Sequence, residues 1–293
     1  MMKLRDLFYD NINKINWYQL SINSNPAAIL IIEENLNKIS WYQLSENSNA
    51  IHILEKNLDK IIWYRLLLTP NAIQIIEKNL DKVDWYWLST NPKAIHILEK
   101  NLDKINWNSL SCNPNGVHLL EKNLDKINWS NISLNSNAIS LIKKNLDKIN
   151  WNYLSLNPNA IYILEKNLDK IDWYRLSLNP NAIHILEKNL DKIDWNNISL
   201  NSNAISLIEK NLDKINWYWL STNLNAIHIL EKNPDKINWN SIWKNPSIFE
   251  YDYIKMKNYN IELKEELLSV VLHPDKVKDW YYNNYEFYSS LCY

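Results

Sequence analysis

Apolar and polar positions alternate along this chain in a pattern that returns every 22 residues. In the stretch Asn179–Leu200, NPNAIHILEKNLDKIDWNNISL, Ala182, Ile183, Ile185 and Leu186 form an apolar stripe at helical spacing. Asn181, His184, Glu187 and Lys188 fall on the other face. Asn179 before Pro180 predicts an N-cap with proline at the first helical position, where its missing N–H has no helical partner to lose. Asn189 ends this helix, and Leu190 and Ile193 continue the apolar set through a short connection. Asp194 directly before Trp195 predicts a second, shorter helix over Trp195 to Ser199, or a 3₁₀ turn, with Trp195 and Ile198 inward. The slot before the tryptophan is Asn, Asp or Ser in every unit except that of Ile62.

Trp41, Trp63, Trp85, Trp107, Trp129, Trp151, Trp173, Trp195, Trp217 and Trp239 are spaced by 22 residues. Trp17 precedes them by 24, with Pro26 and Ala27 as a two-residue insertion. Helices this short are marginal alone, so stability must come from stacking each unit on its neighbours. The fold class is therefore all-α, an α-solenoid of about eleven helix–turn–short-helix repeats with a C-terminal helical cap. Stacked at the usual helix separation, eleven units form a rod or superhelix roughly 100 Å long. The array domain is 1–245, with residues 1–15 as an N-terminal cap. Trp243 in a slot that is Ser in nine of eleven units, and Pro234 in place of Leu, mark its end. Residues 246–293 form a capping module, with an amphipathic helix over Ile261–Leu272 and an aromatic tail. Residues 129–150 and 195–216 differ at two positions, which points to recent unit duplication.

Composition narrows the function. The 293 residues carry 32 basic and 33 acidic side chains, a net charge of −1, so there is no basic footprint for nucleic acid. Gly116 is the one glycine, which excludes glycine-rich phosphate loops. Cys112 and Cys292 fit neither a metal nor a disulfide framework and suggest a reducing compartment. The first ten residues lack the apolar core of a signal peptide, and no stretch is long enough to cross a bilayer. These features predict a soluble, intracellular protein with no cofactor, no metal and no membrane or nucleic-acid partner. No unique acid–base pair stands outside the repeat, so no enzyme is expected; an alternative site in the C-terminal module would need a carboxylate beside His273.

The unit LSLNPNAIHILEKNLDKIDW (Leu176–Trp195) resembles tandem repeats of uncharacterised proteins from giant DNA viruses of the mimivirus-like group. NPSIFEYDY (Asn245–Tyr253) and KEELLSVVLHPDKVKDW (Lys264–Trp280) look like the tail that closes many of them. The resemblance implies a viral origin, a setting in host cytoplasm, viral factory or virion, and no particular activity. A looser likeness is to leucine-rich-variant repeats, which alternate a helix and a shorter helix around Asn-Pro; the cysteines of their cluster are missing here.

Several recurring residues invite chemistry. His52, His96, His118, His184 and His228 share one slot, but positions one unit apart are too distant for a shared metal ion, so a solvated helix face is expected. The Asp-Lys pair reads as a turn whose charges help neighbouring units pair, and the tryptophans read as core, Trp151→Ala costing about 3–5 kcal/mol. The two residues after each tryptophan vary while the frame stays fixed. They point to a protein-binding ridge centred on Tyr64, Arg65, Tyr86 and Trp87, with a second patch at Tyr174, Arg175, Tyr218 and Trp219. The function expected is a non-catalytic scaffold, an adaptor for an unidentified host or viral protein. The adaptor would be a monomer; the alternative is a virion or factory component that self-associates end to end.

Overall fold

A computed structural model describes residues 2–259, 261 and 262. It is an all-α repeat array over Arg5–Ile248, with a second small unit containing, among the described residues, Met2–Leu4 and those from Phe249 onward. The expected helix Ile261–Leu272 lies, beyond its first two residues, outside the described residues. The tail with His273 and Cys292 lies outside them as well.

In the unit quoted above the first helix is Ile183–Glu187, followed by a 3₁₀ turn Leu190–Lys192 and a second helix Trp195–Leu200. The first helix begins later than the Asn-Pro cap predicts, because Pro180 and Asn181 form a turn instead. Asn179 still caps that turn, its Oδ1 accepting the Asn181 N–H at 3.0 Å. The second cap is as expected: Asp194 accepts the Asn197 N–H at 2.8 Å, whereas Ile62 gives the equivalent helix no side-chain cap. Two further expectations need correction. Leu190 is 46% exposed, since the tight turn points it outward, while Ile193 is buried. The repeat tryptophans are half-buried rather than core.

Three side-chain ladders join successive units. Asn179, fully buried, donates through Nδ2 to the carbonyls of Ser155 and Asn157 in the preceding unit, both at 3.0 Å. Ser177 Oγ donates to the Trp173 carbonyl at 2.9 Å and accepts the Asp194 N–H of the next unit at 3.0 Å. Lys192 lies over the Trp173 ring of the preceding unit, 4.8 Å from its centroid. Lys60 and Lys236 instead pair with their own neighbours Asp59 and Asp235. The recurrent lysine thus joins units mainly through a tryptophan face, with the aspartate secondary. Each buried asparagine bond contributes about 1 kcal/mol net, and losing the side chain leaves the Ser155 carbonyl without a partner at about 1–3 kcal/mol, while the Asn157 carbonyl keeps the Ala160 N–H.

The array has no open ends. Asn23 Nδ2 donates to the carbonyls of Trp243 (2.9 Å) and Asn245 (3.1 Å), the ladder contact that Asn47 makes with Ser21 and Asn23. Asn25 donates to the Pro246 carbonyl at 3.0 Å, as Asn115 does to Pro92. Lys14 lies 4.4 Å over Trp239, as Lys38 lies over Trp17. One unit is therefore composite. Residues 245–248 supply its buried asparagine and cap turn, and the helix Asp6–Tyr9 with buried Phe8 supplies the rest. The Arg5 N–H donates to the Ile248 carbonyl at 2.9 Å across the junction. Closing a full turn in eleven units requires about 33° of rotation per unit. This corrects the rod or superhelix: Trp243, 1% exposed, lies at a seam and not at an exposed end, while Pro234 stands in the adjacent 3₁₀ turn Pro234–Lys236.

In the small unit, β1 (Met2–Leu4) pairs antiparallel with β2 (Phe249–Tyr251), Met2 opposite Tyr251 and Leu4 opposite Phe249. These strands were not expected in the terminal caps. Residues 253–259 are helical. No helix among the described residues is long and apolar enough to cross a membrane.

Candidate protein-binding surface

The closest approaches between neighbouring units run along the second helices, for example Trp151–Leu156 with Trp173–Leu176 and Trp195–Leu200 with Trp217–Thr222. In a closed array the elements that approach most closely lie on the inside of the curve. The two slots after each tryptophan belong to these helices. Convergence therefore brings variable side chains from consecutive units into contact.

The first ridge is assembled. Tyr64 and Trp87 stand 6.1 Å apart between ring centroids, and Tyr86 meets Trp87 edge-on at 4.9 Å. Tyr42 extends it, 6.2 Å from Tyr64. Its hydrogen bond with Tyr64 raises the Tyr64 phenol above its usual value, with burial adding to the effect. Arg65 lays its guanidinium 4.5 Å from the Tyr42 ring centroid, donates to Gln43 Oε1 at 3.0 Å and pairs with Glu46. Arg65 thus locks the ridge and neutralises Glu46. Tyr64 and Tyr86 remain 40% and 49% exposed. Glu46 escaped the reading of the sequence, although it is the only acid in its slot and stands 19 residues before Arg65, close to one unit.

The second patch is not one surface. Tyr218 and Trp219 meet edge-on at 4.8 Å, but the unit of Asn196 and Asn197 separates them from Tyr174. Asn197 Nδ2 donates to the Tyr174 carbonyl at 2.8 Å. Arg175 turns to Asp172 and toward Tyr153, 5.8 Å from that ring.

The recurrent histidines lie half-exposed on the first helices. Each meets the glutamate of the preceding unit, from His52 with Glu33 at 2.6 Å to His228 with Glu209 at 3.0 Å. Where the glutamate slot holds Lys143, the partner slot holds Tyr162, and the contact becomes a cation over a ring at 5.5 Å. Lys166 donates a hydrogen bond to the Tyr162 phenol, which with its charge lowers that phenol's pKa. Grooves of 160 and 300 Å³ beside His184–Glu165 and His52–Glu33 offer two such donors each. Among the described residues no group of three metal-ligating side chains forms. Gly116 occupies the slot other units fill with alanine, at a helical φ of −87°, in no phosphate-loop geometry. No family model, curated protein or solved structure matches this chain.

Proposed function

We propose that this protein is a non-catalytic binding scaffold whose aromatic ridge at Tyr42, Tyr64, Tyr86 and Trp87 docks a protein partner. The observation that carries the reading is the ridge itself: large rings in contact, partly exposed, and fixed by an arginine already neutralised by Glu46. Tyr, Trp and Arg dominate binding hot spots because they bury much area for little lost freedom. An adaptor is favoured over end-to-end assembly because closure leaves no terminal unit free to stack on another copy. The viral setting implied by the giant-virus resemblance belongs to this proposal, as does the host or viral identity of the partner.

The test is affinity capture from infected cells with tagged protein, beside a Tyr86→Ala/Trp87→Ala double variant of equal melting temperature. A discrete partner lost in the variant supports the adaptor. Recovery of only the protein itself or capsid proteins, unchanged in the variant, overturns it in favour of a structural component.

A further inference from the structure

The slot directly after the repeat tryptophan holds six tyrosines, four asparagines and one serine, and no charge in any unit. The chain as a whole is 22% charged, so neutrality at eleven surface positions is a property of that surface. The following slot holds two charges, Arg65 and Arg175, and each is paired with an acid, Glu46 and Asp172. Both slots sit on the helices along which the units converge. There the rings of Tyr42, Tyr64 and Trp87 from neighbouring units meet, with centroids 6.1–6.2 Å apart.

We infer that the concave wall of these two neutral slots, from Tyr42 through Trp87 to Asn108, with Asp84 engaged as a helix cap through the Tyr86 N–H, receives a convex, uncharged polypeptide loop. The inference rests on the protein-binding reading and specifies its chemistry. The two slots hold no unpaired cation and the nearest lysines, Lys82 and Lys104, are held over tryptophan rings, so a phosphate backbone finds few counterion replacements there. Asparagine carboxamides present one donor group and one acceptor, matching a peptide bond in an exposed turn. Tyrosine rings supply contact area with two side-chain torsions each, and the Tyr/Asn/Ser mixture suits recognition of irregular loops. Inward curvature favours a protruding partner over a flat one.

The test pans two phage-displayed libraries, disulfide-constrained heptapeptides and linear heptapeptides, on the full-length protein. The enriched peptides are then titrated at about 50 and about 500 mM salt, where screening differs strongly. Constrained, uncharged peptides should dominate, their affinity changing less than about twofold with salt. A Tyr42→Ala/Tyr64→Ala variant should weaken them roughly tenfold or more. Should that variant melt early, Asn108→Asp, which places a charge on the wall, should weaken the same peptides. Enrichment of charged peptides, no enrichment, equal binding to both variants, or salt-steep binding of poly(U) overturns the inference. A partner captured through Tyr86 and Trp87 that binds in a salt-sensitive way overturns it too, yet leaves the adaptor reading intact.

Discussion

Thr69 is the one break in the buried asparagine ladder. It stands 2% exposed where ten other units have asparagine, and its Oγ1 has no hydrogen-bond partner. An asparagine there would reach the Ser45 and Asn47 carbonyls, as Asn91 reaches Leu67 and Thr69. Thr69→Asn should therefore stabilise the protein by about 1–2 kcal/mol, while Asn135→Ala, which strips two such bonds, should destabilise it by roughly 2–4 kcal/mol. Denaturant midpoints measure both, and a Thr69→Asn variant that melts earlier would refute the ladder account. Burial raises the Cys112 thiol above its usual value, with a backbone hydrogen bond opposing in part. Less thiolate is then present at any given pH, so iodoacetamide at mildly alkaline pH should modify Cys112 more slowly than an unstructured cysteine. Mass spectrometry of the Cys112 peptide reads the rate; an equal or faster rate contradicts the burial.

At the level of elements, period, caps and apolar stripes were legible because each depends on neighbours within one unit. Asp194 and Ile198 act as their spacing implies, and Asn179 caps a turn where its spacing implies a helix start. The role of the lysine was not legible. Its ring partner lies in the preceding unit, and the adjacent aspartate offers a nearer explanation. The same limit hid the half-burial of the tryptophans, whose apolar phase says which face they share but not what covers the other side. Trp151, half-buried under Lys170 at 4.8 Å, should cost about 2–3 kcal/mol as alanine, less than a fully buried ring. Lys170→Ala should cost about 0.5–1 kcal/mol. If the lysine variant proves as damaging as the tryptophan variant in urea unfolding, the pairing is not what holds these helices.

At the scale of the whole array, closure was invisible to the repeat pattern. Each unit looks alike whether the per-unit rotation ends in a rod, a superhelix or a ring. Trp243, whose carbonyl accepts the Asn23 amide across the seam, looks like an irregularity of an open end. The ridge at Tyr64, Arg65, Tyr86 and Trp87 was readable because variable slots stand out against a constant frame. The split of the second patch was readable as well, since the unit of Asn196 and Asn197 stands between Tyr174 and Tyr218; the turn of Arg175 to Asp172 was not. Closure also constrains growth. Near-identical units can be duplicated freely in an open array, but a ring with a composite unit holds a set number.

The seam can be tested with native lysines. Lys14 and Lys236 occupy equivalent slots in the first and last units, both exposed, as Lys104 and Lys126 do in adjacent interior units. Adjacent units pack about 8–10 Å apart, within reach of an amine cross-linker, whereas the ends of an open eleven-unit rod stand roughly 100 Å apart. Cross-linking at low concentration, with mixed isotope-labelled and unlabelled protein to exclude links between molecules, should yield an intramolecular Lys14–Lys236 link as readily as Lys104–Lys126. Recovery of the Lys104–Lys126 link without any intramolecular Lys14–Lys236 link would contradict the closed array.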